Sequence, residues 1–369
     1  MSDNIPLEIQ TEIIKRAPDV KSLIRFRAVS KTWKSFIDSS EFIGGYRARK
    51  TQPHTLLLRY TNNYQPKYVS VNNDTFTQQQ DLAPNVSALM KQLDDTLVIG
   101  YSRGLLCLYA FDKGGMLVLW NPSIRRCVGI LGSGYFGVFG FAVCPVTNEP
   151  TIVKISFPWK VQLFTLSSKK WTEIECRRPR ESITLHERTH VVIDSCIYRV
   201  AYETSSLPNG FFTVQYMILS FDLIAKEFKA IDLPDKITIP FTSPVRFCIS
   251  KLKGSLFVIV PHREVKVWKM EPNCSFTQLF TINTPDSYIS HIVGFRKNGE
   301  LLVETQERRG RLGFYGEARG SALETYDPCS QHISNLGFSV QNGSFFISSY
   351  KETLHLLDHS DSCVYPEIN

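Results

Sequence analysis

Residues able to do chemistry are spread thinly along this chain. Eight histidines are dispersed over 369 residues. A close pair, His355 and His359, falls in a segment that reads as strand and turn, where a spacing of four does not converge on a metal ion. Nine cysteines lie between Cys107 and Cys363 with no CxxC among them, which argues against a disulfide framework and against a structural zinc site. They read as buried free thiols. The run Gly132-Ser133-Gly134-Tyr135-Phe136-Gly137 matches GxGxxG, but the strand-like VFGFAVCP follows it instead of the helix that a phosphate cradle requires. It reads as a glycine-rich loop. No GxSxG elbow, Cys/His couple or copper constellation is legible, so no catalytic residue, metal or cofactor is expected.

Binding is the better expectation. The net charge of +7 permits an acidic partner without specifying one. The densest basic runs, Arg177-Arg178-Pro179-Arg180 and Arg308-Arg309-Gly310-Arg311, lack the interleaved aromatics of a single-strand groove. They read as solvated loops, and nucleic acid is not the expected partner. Loop aromatics at Tyr135, Phe136, Trp159, Phe211, Phe212, Phe241 and Tyr315 suit either a protein-binding rim or packing between sheets. No stretch approaches the roughly 18 apolar residues that span a bilayer, and no apolar leader opens the chain. A place in the cytoplasm or nucleus is expected, with no membrane partner.

The elements that would position a binding surface change character near Gly44-Gly45. From Pro6 to Ile37 the apolar spacing is helical, whereas almost everything after Thr55 reads as strand. Pro6 suits a first helical turn, with Ile9, Ile13 and Ile14 as its apolar stripe. Pro18 ends that helix and opens a second containing Val20, Leu23, Ile24 and Phe26. Ser30 caps a third that carries Trp33, Phe36 and Ile37. Three short helices without disulfide or metal bury too little to stand alone. Some of Ile5, Leu7, Ile9, Ile13, Leu23 and Val29 should therefore face another protein.

The segment IPLEIQTEIIKRAPDVKSLIRFRAVSKTWKSFIDSSEFI resembles an F-box of the plant type, usually written LPxEIxxEILxRLPVKSLLRFRxVSKxW. The resemblance implies docking to an SKP-type linker, and through it to a cullin, with Ile5, Pro6, Ile9, Ile13, Leu23, Val29 and Trp33 as contact or scaffold residues. Two departures stand out: the opening is Ile5-Pro6, and RLPVKSL has become Arg16-Ala17-Pro18-Asp19-Val20-Lys21-Ser22-Leu23. The extra residue lies between helices, where insertion is tolerated best.

The rest of the chain repeats. LWNPSIRRCVGI, LFTLSSKKWTEI and SFDLIAKEFKAI share an apolar-turn-basic-apolar pattern, with weaker copies in VWKMEPNCSFTQLF, TYDPCSQHISNL and LLDHSD. Aligned on Trp120, Phe164, Phe221, Trp268 and Tyr326, the copies are 44, 57, 47 and 58 residues apart, which suits four-stranded units. Hairpin-like turns precede them at Gly104, Ser195, Gly254, Gly299 and Gly343. The expected fold is α+β and multidomain: a three-helix F-box over residues 1–45, connector and first strands over 46–95, and an all-β, propeller-like domain of about six blades over 96–365. A β-sandwich is the alternative architecture. GYSRGLLCL, LWNPSIRR, HIVGFRKNGELLVE and SSYKETLHLLD also resemble the F-box-associated, kelch-like domain of plant F-box proteins. In that family's GFGYDPxTDDYKVV motif this chain gains Pro150, which suggests an irregular edge.

Taken together, the resemblance implies the substrate-recognition adaptor of an SCF-type ubiquitin ligase that holds a target protein for ubiquitination and degradation. The alternatives are a ligase-independent protein-binding scaffold and a propeller that binds carbohydrate or nucleic acid.

Overall fold

The computed structural model describes residues 5–46, 55–62, 65–82, 87–93, 96–111, 113–132, 137–206, 212–234, 237, 248–260, 264–282, 287–307, 320–341 and 345–366. Four helices come first: α1 (Leu7–Lys15), α2 (Val20–Arg27), α3 (Lys31–Ile37) and α4 (Ser40–Gly45). Local capping explains their boundaries. The Asp19 carboxylate accepts from the Ser22 N–H at 2.6 Å, and the Ser30 hydroxyl accepts from the Trp33 N–H at 3.1 Å. Helix α4 is additional to the three expected. The Ser39 hydroxyl caps it by accepting from the Phe42 N–H, but six residues ending in two glycines give too little periodicity to read.

Apart from a 3-10 turn at Met90–Gln92, the remaining regular structure among the described residues is strand, in six sheets. The first comprises β1 (Thr55–Asn62), β2 (Gln65–Asn72) and β3 (Gln78–Asp81), and β24 (Phe346–Ser349) joins it to give the order β24-β1-β2-β3. The second holds β4 (Thr96–Ser102), β5 (Leu105–Ala110), β6 (Met116–Asn121) and β7 (Arg126–Ile130). A fifth strand, β25 (Cys363–Tyr365), lies parallel on β7. The third runs through β8 (Val138–Val143), β9 (Pro150–Ser156), β10 (Lys160–Thr165) and β11 (Lys170–Ile174). The fourth has β12 (Thr184–Ile193), β13 (Cys196–Ser206), β14 (Phe212–Asp222) and β15 (Glu227–Asp232). The fifth has β16 (Cys248–Leu252), β17 (Ser255–Val260), β18 (Val265–Met270) and β19 (Phe276–Ile282), and the sixth β20 (Ser287–Phe295), β21 (Leu301–Glu307), β22 (Gly320–Asp327) and β23 (His332–Gln341). Four-stranded antiparallel meanders succeeding one another in this way are the blade repeat of a six-bladed β-propeller.

The sequence repeat is the outer hairpin of each blade. In LFTLSSKKWTEI the Lys169 N–H closes on the Thr165 carbonyl at 2.9 Å, with Lys169 at φ 56°. Lys226 does the same to Asp222 at 2.8 Å, and Gln331 to Asp327 at 2.8 Å. The leading Asp or Asn side chain then accepts from the turn's interior, as Asp222 Oδ1 does from Ile224 at 2.7 Å. A copy not read in the sequence joins β2 to β3, where the Phe76 N–H meets the Asn72 carbonyl at 2.8 Å. Inner hairpins use tight turns, including Arg103-Gly104 and Lys253-Gly254 with both residues at positive φ. The Asn342-Gly343 turn lies outside the described residues.

Two readings of the sequence need correction. Pro150 opens β9, which sits between β8 and β10 and not at an edge; as first residue of the strand it removes no N–H that the ladder needs further along. LLDHSD is not a copy of the hairpin but a turn whose Leu357 packs into the helical head, as described below.

Two compact units divide the chain: 1–57 with 68–135 and 348–369, and 58–67 with 136–347. Within the second unit, neighbouring blades share cores. Val153 and Val161 meet Ile197 and Phe221, Val200 and Ile218 meet Ile249 and Val258, and Ile259 and Val267 meet Ile292 and Val303. Within the first unit, residues 350–365 form a strap along the second blade. Fully buried Asn121 donates through Nδ2 to the carbonyls of Thr353 and His355 at 3.1 and 2.7 Å. Arg126 Nη1 donates to the carbonyls of Leu357 and His359 at 2.8 and 2.6 Å.

Candidate functional site

The helical head closes one face and leaves another open. Its core gathers Ile14, Ala17, Val20, Leu23, Ile37, Phe42 and Ile43, and two strap residues, Leu354 and Leu357, complete it. Leu23 and Ile37 are fully buried there. Two residues of the altered segment between α1 and α2 have structural roles: Ala17 is buried in this core and Asp19 caps α2. Hydrogen bonding from the Ser22 N–H holds the Asp19 carboxyl below the ordinary carboxylate range.

Elsewhere on the head Ile5, Leu7, Ile9, Ile13 and Val29 remain 41, 50, 53, 44 and 59% exposed. Ile9 and Ile13 stand four apart and so share one face of α1, whereas Ile14, one position on, turns inward. Gln10 ties this face to α3. Its Nε2 donates to the Ile5 carbonyl at 2.6 Å, and its Oε1 accepts from Trp33 Nε1 at 2.6 Å. Trp33 is half-buried and meets Phe26 edge-on at 5.5 Å. The Arg27–Asp38 pair, with Nη2 to Oδ2 at 2.8 Å, locks α2 to the end of α3. Around the stripe the exposed Lys15–Glu12 pair adds little energy.

The structure thus places Ile5, Pro6, Ile9, Ile13 and Val29 at the surface, Leu23 in the core, and Trp33 between the two as a scaffold. What the arrangement can do is present a preformed apolar stripe to another protein. Exposed apolar residues gathered on a small helical body are unfavourable in water.

Of the loop aromatics, Tyr135, Phe136, Phe211, Phe241 and Tyr315 lie outside the described residues. Phe212 opens β14 and is 51% exposed. Trp159 is half-buried, with its ring 5.2 Å from Phe228 and the Arg178 guanidinium 5.5 Å above it. Its neighbour Phe157, which sequence reading passed over, is 94% exposed. The signal available was an aromatic-Pro-aromatic link between two alternating strands. The basic run is partly engaged: Arg180 pairs with Glu203 at 3.0 Å and with Asp232 at 2.7 Å. The run from Arg308 lies outside the described residues.

Groups of three or more metal-ligating side chains are absent among the described residues. A Cys/His couple does exist, contrary to expectation: Cys248 Sγ and His291 Nδ1 are 3.0 Å apart. It joins strands 43 residues apart in sequence, so spacing could not reveal it, and Cys248 is 1% exposed. The expectation of uniformly buried thiols also fails, since Cys329 is exposed.

A family model for the F-box domain matches residues 2–43, the helical head just described. Along most of its length the chain is similar to plant proteins of this kind. It is 27% identical to the F-box protein At5g18160 of Arabidopsis thaliana, over 95% of this chain and 91% of that one. It is 25% identical to the F-box protein CPR1 of the same plant, over 81% and 79%. The head is therefore an F-box domain, and the chain is a relative of plant F-box proteins that continue into a C-terminal domain. Among solved structures, the periplasmic gluconolactonase PpgL of Pseudomonas aeruginosa matches 81% of this chain and 99% of its own at 9% identity and a TM-score of 0.44. Puromycin hydrolase matches 70% and 41% at 13% identity and a TM-score of 0.44. Likenesses at that level define neither a fold nor an activity. No helix among the described residues is long and apolar enough to cross a membrane.

Proposed function

We propose that this protein is the substrate-recognition adaptor of an SCF-type ubiquitin ligase. The carrying observation is the division of the head: a core sealed by its own chain, and an apolar stripe left in water. Ile5, Pro6, Ile9, Ile13 and Val29, with Leu7, dock an SKP-type linker that leads to a cullin. Leu23 and Trp33 hold that surface in shape without leading the contact.

The β domain holds the target, with Trp159 and Phe212 as candidate contacts together with Tyr135, Phe136, Phe211, Phe241 and Tyr315. No residue of this chain takes part in bond making. Its contribution is positional, because tethering raises the effective concentration of target lysines at the ubiquitin-charged enzyme to roughly millimolar. Cytoplasm or nucleus is the expected place of action.

Each stripe residue has about half its surface left to bury, where complete burial stabilises by about 1.5–3 kcal/mol. The test is co-purification of the full chain with a plant SKP-type linker. Wild type should capture the linker, Ile9→Asp should not, and Trp33→Ala should capture it weakly. Wild-type protein that captures none would refute the ligase reading and leave a ligase-independent scaffold in its place.

A further inference from the structure

Among the nine thiols, that of Cys274 has an amine set against it. Lys229 Nζ lies 3.4 Å from Cys274 Sγ, with Lys229 exposed and Cys274 half-buried. The two belong to neighbouring blades. Lys229 is in β15, the fourth strand of its blade, and Cys274 is in the turn between β18 and β19 of the next. Local bonds fix that turn: the Cys274 N–H donates to the Glu271 carbonyl at 2.9 Å, and the Glu271 N–H to the Ser275 carbonyl at 2.8 Å. Cys274 takes the left-handed turn conformation, at φ 64°, that Lys169, Lys226 and Gln331 take in the outer turns of other blades. Its side chain packs on the core shared by the fourth and fifth blades, beside Tyr198 and Trp268.

As a hydrogen bond this contact contributes little, because a thiol sulfur is a weak acceptor. As a reacting pair it has a definite chemistry. A thiolate oxidised to sulfenic acid becomes an electrophile that condenses with a nearby thiol or nitrogen, and here a nitrogen is already in contact with the sulfur. The other thiols are less well placed. Cys107, Cys127, Cys144 and Cys248 are buried. Cys176 and Cys196 are half-buried, but burial pushes both thiols up, with Glu227 adding to the effect at Cys176 and Asp222 at Cys196. That disfavours the thiolate, which is the oxidisable form. Cys329 is exposed on the outer turn of the sixth blade, where its N–H donates to Asp327 at 2.9 Å. Its sulfur has no hydrogen bond to a lysine among the described residues.

We propose that Cys274 and Lys229 form a covalent clasp between the fourth and fifth blades when the protein meets a peroxide. The Cys274 thiolate attacks hydrogen peroxide. The O–O bond breaks, sulfur gives up two electrons as the sulfenic acid forms, and the peroxide is reduced to water. Lys229 Nζ, as the neutral amine, then attacks Sγ. The S–N bond forms, the S–O bond breaks, and the departing hydroxide takes a proton from the nitrogen and leaves as a second water. This step transfers no electrons to or from an outside reagent. The product is a sulfenamide, which an added dithiol opens by attack on sulfur, as it opens a disulfide. The clasp closes a loop whose ends are 45 residues apart, so it restrains the unfolded chain as a disulfide does. The inference goes beyond the ligase reading and does not rest on it, since the head contributes no atom to the clasp.

The experiment is treatment of the purified full-length chain with a small excess of hydrogen peroxide, followed by intact mass measurement and mapping of tryptic peptides. The expected product is lighter by two hydrogens and joins the peptide of Lys229 to that of Cys274. It resists cleavage after Lys229 and reverts with dithiothreitol. Cys274→Ser and Lys229→Arg should each abolish the joined peptide. Cys196→Ser should leave it intact, which separates the clasp from a disulfide of the same mass change. Lys229→Arg alters an exposed side chain and keeps its charge, so it carries the test even if a Cys274 variant melts early. The clasped form should also show a higher urea midpoint than the reduced form. Oxidation of Cys274 to sulfinic acid with no joined peptide, persistence of the joined peptide in Lys229→Arg, its loss in Cys196→Ser, or equal joining in chain already unfolded by urea each overturns the proposal.

Discussion

Helix α1 and the blades both carry apolar residues at regular spacing, yet they dispose of them in opposite ways. Along β5, β6 and β9 nearly every side chain is buried, and each of these strands has a neighbour on both edges. Helix α1 offers Leu7, Ile9, Ile13 and Ile14, and only Ile14 goes inside. Among the described residues, five of the fourteen exposed large hydrophobic ones belong to the head, which is little more than a tenth of the chain. Periodicity therefore reports that a face is apolar and says nothing of what covers it. Between the blades of the second unit the cover is the next sheet, and on α1 the proposed cover is the linker.

The comparison breaks most severely if the head's inner face is not in fact closed by the strap. Leu354→Ala and Leu357→Ala should each destabilise the head by about 2–5 kcal/mol, the usual range for truncating a buried leucine. Urea unfolding and loss of linker capture would both register it, although the sites lie some 300 residues from the F-box motif. Ile9→Asp is the complementary probe. It should reduce linker capture by about 100-fold while changing stability by no more than ~0.5 kcal/mol, since the site is exposed. A variant that unfolds would mean that Ile9 is core after all.

Acid sharpens the comparison further. Burial, with Arg103 nearby, pushes the strap's His355 from 6.5 down to about 4, with Asp358 opposing. A histidine held neutral in the folded state contributes stability that is complete above pH 6.5 and lost as the pH falls toward 4. His355→Asn should flatten the slope of stability between those values, by an amount on the order of 1–2 kcal/mol, as read from urea midpoints at pH 7 and pH 5. The smallest effect is at the cap of α2. Asp19→Ala should cost about 1 kcal/mol. Because the folded carboxyl lies below its ordinary value of 3.8, that contribution is present above this pH and fades as the pH falls through the lowered value.

Much of this was legible in the residues. The F-box pattern located the head, and the turn repeats located the outer hairpins, because both are local: caps, left-handed residues and spacing act within ten positions. Helix α4 escaped because two glycines and six residues leave no period. The β2–β3 hairpin escaped because its turn, Asn72 to Phe76, lacks the basic residue used to align the others. The strap was misread for a different reason. Leu356 and Leu357 next to Asp358 look locally like the start of another hairpin, and only the packing of Leu357 with Ile14 and Leu23, far away in sequence, shows what that leucine does. The partition of α1 into inner and outer isoleucines was legible only as a likelihood that some would face outward, since Ile13 and Ile14 are the same residue type one step apart.

The strap also sets the order in which the molecule is made. The head leaves the ribosome first, but Leu354 and Leu357 follow it by more than 300 residues, a delay of roughly 15–60 s at typical synthesis rates. During that interval the nascent F-box shows both its oily sides, and its inner side closes only when translation has passed the strap.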